Sequence, residues 1–506
     1  MGRYEYEKLT LLPLSSNSSN STINHSSASS SSADGDDNSD HEHEDSAVEF
    51  KQNKTKQFRK KIAGAIRTTS ATLTANNRRK LHINRGLGKR LTRLLLCAFM
   101  IPMLLFLTFY STIFSGASSR HYPLSDWDFS VSRNISDYVL PLNDTTLLEP
   151  RHKCHEKMFI LIVVCSGLNN FVARQTIRET WGNTTEFNYS MFEKLHSHLS
   201  DKYLRPKRQR IELFQEFFKL NGNQTTAIPP AAMPVRILFL LGHTKIDTAD
   251  GMGGNGGNNE TYIRLQQEAE QYDDIIQENF LDTYNNLTIK SVMALKWITR
   301  NKCFEKAAFF MKCDDDTFVN VPNLLQFLLG GTVPLYNETL DYYDSRTYQT
   351  LSAINRLNAT TNYMVGYMFC KAPVLANVKS KWYMPYYMYS KDYYPTYLSG
   401  SGYLMSMDVV PRLYEASLNT SLVYLEDVYV TGMCAEKANI QRHHHPLFNY
   451  GRYKHSCTLK GMITLHKLTN DDMYAAYNFV TNVTYHCPPP GKYFKRIRLR
   501  RLSGCG

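Results

Sequence analysis

Three short stretches hold residue types that can do chemistry together. In the first, Lys312-Cys313-Asp314-Asp315-Asp316-Thr317-Phe318-Val319-Asn320, three adjacent carboxylates follow the apolar run 307–312. Carboxylates this close repel one another, so a cation is the expected compensation. Hard oxygen ligands suit Mg2+ or Mn2+, which would bridge the diphosphate of a nucleotide-sugar. An acidic turn capping the next helix would use the same residues. The second stretch, Tyr424-Leu425-Glu426-Asp427-Val428-Tyr429, sets two acids in an apolar, aromatic segment. Desolvation raises a carboxyl pKa and suits a general base, although a structural salt bridge or a helix N-cap also fits. The third, PTYLSGSGY at 395–403, reads as a Gly-rich turn between aromatics. Its glycines, Gly400 and Gly402, would let backbone approach a ligand, and aromatic faces stack on sugar rings. A lone Gly-X-Gly is more often just a turn.

These stretches need a scaffold, and the pattern predicts an open α/β one. Residues 158–165 (MFILIVVC), 235–241 and 307–312 are apolar runs that read as buried strands of a mostly parallel sheet. Segments 171–181, 268–278 and 284–299 read as flanking helices. In such sheets the binding groups sit at the carboxyl ends of the strands. Segments 196–234 and 250–258 fit the plan poorly and are taken as surface insertions, and there is no internal repeat. His443, His444 and His445 read as exposed loop residues rather than a metal cluster.

The 506 residues exceed one compact domain, and the surplus is N-terminal. Residues 15–47 are Ser, Asn, Asp, His and Glu with almost no apolar side chains, a composition of disorder. The net charge of +12 does not point to nucleic acid, because fourteen Lys or Arg residues lie between Lys51 and Arg93, directly before the uncharged stretch 94–114. That asymmetry is the positive-inside pattern of a single-pass signal anchor, with the chain beyond it lumenal. Nine of ten Cys and eleven Asn-X-Ser/Thr acceptors follow the stretch, as suits an oxidising, glycosylating compartment. The expected organisation is a cytosolic tail at 1–93, a transmembrane helix at 94–114 and a stem at 115–152. A folded domain at 153–487 and a basic tail at 488–506 complete it.

Read in order, several motifs resemble the β1,3-galactosyltransferase and β1,3-N-acetylglucosaminyltransferase family. They are RQTIRETW at 174–181, FLLG at 239–242, YDDIIQENFLDTYNNLTIK at 272–290, the 312–320 acids, Lys381-Trp382, the Gly400/Gly402 segment, EDVY at 426–429 and ITLHKL at 463–468. The resemblance runs from about residue 158 to 487. It implies the GT-A nucleotide-sugar-binding fold and an inverting transfer of galactose, or an N-acetylhexosamine, from a UDP-sugar to an acceptor 3-hydroxyl. It also implies a Golgi type II membrane glycoprotein, open to oligomer formation, whose acceptors are glycans on glycolipid, glycoprotein or proteoglycan. By that resemblance Asp314 and Asp316 belong to the metal and ribose site with Asp315 beside them, and His466 is the later metal ligand. Asp427 is the base and Glu426 positions it. Arg174 and Arg178 would face the UDP side of the cleft, or alternatively hold Asp or Glu in the core. A catalytically silent relative acting as chaperone or partner of another transferase is the other class, and retention of all these acids favours an enzyme. One departure is Leu398, where many members have Cys. It leaves Cys434 free or with another mate, Cys370 being one candidate.

Overall fold

The computed structural model of the chain describes residues 94, 96–106, 120–124, 126–219, 234–244, 256–336, 357, 359–452 and 455–489. The chain divides into two compact units, 1–111 and 112–506. In the first, Leu94 and residues 96–106 are helical with exposed apolar side chains. Leu95 and residues 107–114 of the expected anchor, the tail before it and residues 490–506 of the expected basic tail lie outside the described residues. Among the described residues no helix is long and apolar enough to cross a membrane.

Among the described residues the second unit has ten strands: β1 (Thr146–Leu148), β2 (Met158–Cys165), β3 (Val235–His243), β4 (Ile275–Leu281), β5 (Ala307–Asp314), β6 (Phe318–Val319), β7 (Tyr363–Phe369), β8 (Tyr397–Ser406), β9 (Gln441–His444) and β10 (Thr464–Leu465). Eight form one sheet in the order β1-β4-β3-β2-β5-β8-β7-β9, and β6 pairs with β10 in a second. The β4-β3-β2-β5 block is parallel, while β1 and β8 join it antiparallel. All eight residues of β2 are buried, as expected of a central parallel strand covered on both faces. Leu161 and Val163 pack into a cluster with the helices Leu287–Arg300 and Val409–Leu418. Ile160, Ile162 and Val164 pack into the opposite cluster with Phe171–Glu179, Val321–Leu328 and Asn470–Thr481. The result is helix, sheet and helix in layers, with the ends of β2 and β5 side by side.

Several expectations are corrected. Segment 268–278 is not one helix: Gly256–Tyr272 is helical, Asp273 takes a left-handed φ of 54°, and β4 follows. Gln277 and Glu278 hid that strand, because they are buried polar residues with distant partners, Gly242 O and the Thr145 and Thr146 hydroxyls. Gly256, Gly257 and Asn258 are helical rather than loop, and residues 250–255 lie outside the described residues. Segment 196–234 is not a surface insertion throughout. His196 is fully buried between Tyr336 Oη and Asn323 Oδ1, and Phe214 stacks edge-on against Phe159. The 395–403 segment is largely strand, β8, instead of a turn.

The segment expected as a stem is part of the fold from Arg120 onward. Trp127, Ile135 and Val139 are buried in the core, and Trp127 Nε1 donates to Asn285 O at 2.9 Å. Lys296 Nζ donates to Val139 O at 2.6 Å and Thr145 Oγ1 at 2.7 Å. Short elements with single anchoring side chains leave no period to read. Trp127→Ala is therefore expected to cost about 3–5 kcal/mol of unfolding free energy in a urea titration of the detergent-solubilised chain. Tyr122→Ala, whose ring is exposed, should change it by less than about 0.5 kcal/mol.

Candidate active site

β5 carries Lys312, Cys313 and Asp314 to its end, and the turn that follows presents Asp315 and Asp316. Thr317 Oγ1 ties that turn to Ser401 O on β8 at 2.9 Å. Because Phe318 of β6 pairs with Leu465 of β10, the next residue, His466, is brought against the carboxylates. Its Nε2 lies 3.0 Å from Asp316 Oδ1 and 3.6 Å from Asp314 Oδ2. Its Nδ1 is 3.0 Å from Tyr450 O, a group that can only accept, so Nδ1 holds a proton and Nε2 is directed at the acids. Burial opposes the charged ring, but the close approach and charge of Asp316, with the charge of Asp314, raise the His466 pKa above its ordinary value.

Asp314, Asp316 and His466 each offer one ligand atom, all within 4.8 Å of one another. The donor set fits a divalent cation on two counts. Asp316 Oδ1 is shut from solvent with no hydrogen-bond partner, His466 Nε2 being its close neighbour. A carbonyl behind the imidazole is the usual brace of a ligating histidine. Asp315 is turned elsewhere: its Oδ2 accepts from Ser166 Oγ at 2.7 Å and Asn170 Nδ2 at 2.8 Å, beyond the end of β2. Burial raises its pKa.

The second acidic pair stands beside the first. Asp427 caps the π-helix Val428–Cys434, its Oδ1 accepting from Val428 N at 2.8 Å. Burial, then the neighbouring Glu426 charge, push Asp427 up to about 7, against backbone N–H groups of Val428 and Gly400 and the Lys312 ammonium. Tyr284, Tyr394, Tyr397 and Tyr424 face it; burial above all, with the Asp427 charge adding, keeps each phenol protonated. Tyr284 also hydrogen-bonds Trp382. Glu426 is buried, with Oε1 accepting from Tyr403 Oη at 2.7 Å.

Lys312 joins the two pairs. Its Nζ donates to Asp314 Oδ1 and to Gly400 O, both at 2.7 Å, and stands 3.6 Å from Glu426 Oε2. Burial works against its charge, but Asp314 and Glu426 hold its pKa well above the ordinary lysine value. Gly400 is needed for this approach, since a Cβ there would meet Glu426 Oε2 at 2.9 Å and Asp427 Cβ at 3.3 Å. Asp314, Asp316, His466, Glu426, Asp427 and Gly400 thus share one neighbourhood.

The other expected site residues have protein partners of their own. Arg174 is fully buried, its Nε and Nη2 bound to Glu268 at 2.8 and 2.7 Å and its Nη1 to Gly167 O at 2.7 Å. Arg178 pairs with Asp274 at 2.8 Å and Glu268 at 2.7 Å, and lines a cavity of about 180 Å³ near the start of β3. Both guanidinium groups hold carboxylates, the second of the two roles open from sequence. A Cβ on Gly402 would make ordinary contacts with Thr464, Met311 and Cys313, so no close approach there requires glycine. His443 and His444 are half-buried on β9 and His445 is buried, stacked edge-on against Phe327, which corrects their reading as exposed. Cys434 is a free, buried thiol, while Cys154 bonds Cys303 and Cys457 bonds Cys487. Sequence reasoning gave no role to Lys312, Tyr284, Tyr394 or Tyr424, and to Tyr397 and Tyr403 only that of aromatics able to stack on a sugar ring. The one visible signal was a lysine closing an apolar strand.

An open, mostly parallel α/β sheet with clustered acids at a strand end is the architecture of a ligand-binding α/β enzyme. The chain matches the family described as Galactosyltransferase over residues 223–351 and 341–446. It is 29% identical over 360 residues to "Beta-1,3-galactosyltransferase 1" of Homo sapiens, covering 71% of this chain and 85% of that protein. It is 30% identical over 365 residues to "Lactosylceramide 1,3-N-acetyl-beta-D-glucosaminyltransferase A" of Danio rerio, covering 70% and 76%. It is 28% identical over 360 residues to "Lactosylceramide 1,3-N-acetyl-beta-D-glucosaminyltransferase" of Rattus norvegicus, covering 70% of this chain and 75% of that protein. The chain belongs to this galactosyltransferase family.

Proposed function

We propose that the chain is an inverting glycosyltransferase of the GT-A type that forms a β1,3 linkage from a UDP-sugar, galactose or an N-acetylhexosamine, to a glycan acceptor. The observation that carries this reading is the joining of Asp314, Asp316 and His466 to Glu426 and Asp427 through one buried lysine. Asp427, with its pKa near neutrality, accepts the acceptor hydroxyl proton as that oxygen attacks the anomeric carbon. The new C–O bond forms as the bond to the UDP oxygen breaks on the opposite face, so the configuration inverts and UDP leaves with the electron pair. Glu426, fixed by Tyr403 and Lys312, sets its charge beside Asp427 and so raises the basicity of that carboxylate. Asp314, Asp316 and His466 would hold Mn2+ or Mg2+, which supplies charge neutralisation to a leaving diphosphate. The sequence pattern supports a Golgi, type II membrane placement with this domain lumenal.

The test is UDP release by the detergent-solubilised full chain with UDP-galactose, UDP-N-acetylglucosamine and UDP-N-acetylgalactosamine against a panel of glycan acceptors. Acceptor-dependent release with one donor, lost in EDTA and restored by Mn2+, is the expected result. Turnover undiminished by EDTA would remove the metal role, and silence with every donor would remove the transferase reading.

A further inference from the structure

We infer that Lys312 is a positioning residue that locks the cation-binding carboxylate and the proton acceptor into one geometry, an inference resting on the function proposed above. A protonated lysine has three donors, and here two are committed and the third side faces Glu426. The bond to Asp314 takes Oδ1 and leaves Oδ2 turned toward His466, which fixes the oxygen offered to a cation. The bond to Gly400 O holds the strand residue whose own N–H bonds Asp427. The Glu426 carboxylate lies between Lys312 at 3.6 Å and the Tyr403 hydroxyl at 2.7 Å. One ammonium, 3% exposed at the side chain, therefore braces a group on each side of the reacting centre. An ordinary structural ion pair would need one partner only.

Shared bracing has a consequence that stability alone lacks. Removing the ammonium should disturb the metal response and the base together. The charged groups acting on Asp427 are Glu426 and Lys312, while the phenols of Tyr284, Tyr394, Tyr397 and Tyr424 that face it stay neutral; Lys312 is the cation of the two. Without it the acid limb of the rate profile should move up in pH.

The experiment compares Lys312→Met and Lys312→Arg with the wild type, all as full-length solubilised protein, with rates normalised to the folded fraction from near-UV circular dichroism. For Lys312→Met the Mn2+ concentration giving half-maximal rate should rise about tenfold or more, kcat should fall about 10²-fold, and the acid limb should shift up by about one pH unit. Lys312→Arg keeps the charge, so both the Mn2+ response and the limb should stay near wild type with a reduced kcat. If Lys312→Met moves only one of the two readouts, or neither, the inference is overturned. Should Lys312→Met not fold, Lys312→Arg decides: both readouts retained supports the inference, and displacement of either overturns it. A wild type with no Mn2+ response and no acid limb removes the proposed function first, and the inference with it.

Discussion

Asp427→Asn is expected to lower kcat by about 10³-fold while leaving UDP binding, measured by calorimetry, within about twofold of wild type. The amide is nearly isosteric and can still accept from Val428 N, so the cap of the π-helix survives and the protein should melt as the wild type does. What it loses is the ability to take a proton. The sign of the pH dependence follows from the raised pKa: burial and Glu426 push Asp427 up to about 7, so the ionised base is depleted as pH falls through that value. Wild-type kcat/KM should therefore rise across neutrality and level off above it, and the variant's residual rate should show no such limb. Normal turnover in Asp427→Asn would withdraw the base assignment.

How far the site was legible depends on what each residue's role rests on. β2, β3 and β5 were readable because strands buried on both faces must be apolar throughout, and MFILIVVC is nothing else. The acids of 314–316 and 426–427 were readable because carboxylates are costly near apolar surroundings and so attract attention. His466 came only with the family resemblance; its placement depends on β10 pairing with β6, a contact between residues far apart in the chain. β4 was lost to Gln277 and Glu278, whose burial is offset by bonds to Gly242, Thr145 and Thr146 that no local pattern announces. The arginines show how far a charge pattern alone reaches. Arg174 and Arg178 follow the first central strand, as a ligand-binding cation would, yet Glu268 and Asp274 occupy their guanidinium groups. Charge type and position in sequence suit either role, and the partners, about a hundred residues away in the chain, are not announced by any local pattern.

The largest remaining expected effect separates the three adjacent aspartates, which the sequence alone cannot rank. Asp316→Asn should lower kcat by roughly 10²–10³-fold, the scale of losing one charge-stabilising group at a reacting centre. It should also raise the Mn2+ concentration needed for half-maximal rate. Two features of the geometry set this expectation: Asp316 Oδ1 has no hydrogen-bond partner, and it faces His466 Nε2 at 3.0 Å. An amide there presents either a poorer ligand oxygen or an N–H group aimed at the place a cation would take. Asp315→Asn offers the contrast, because its carboxylate already accepts from Ser166 and Asn170 and is turned away from His466. That variant should leave the Mn2+ response unchanged, whatever it does to the rate. Mn2+ titrations of both variants at fixed donor and acceptor would decide it. Equal Mn2+ responses would mean that nearness to His466 does not distinguish the ligands, and the cation site would have to be redrawn around Asp315.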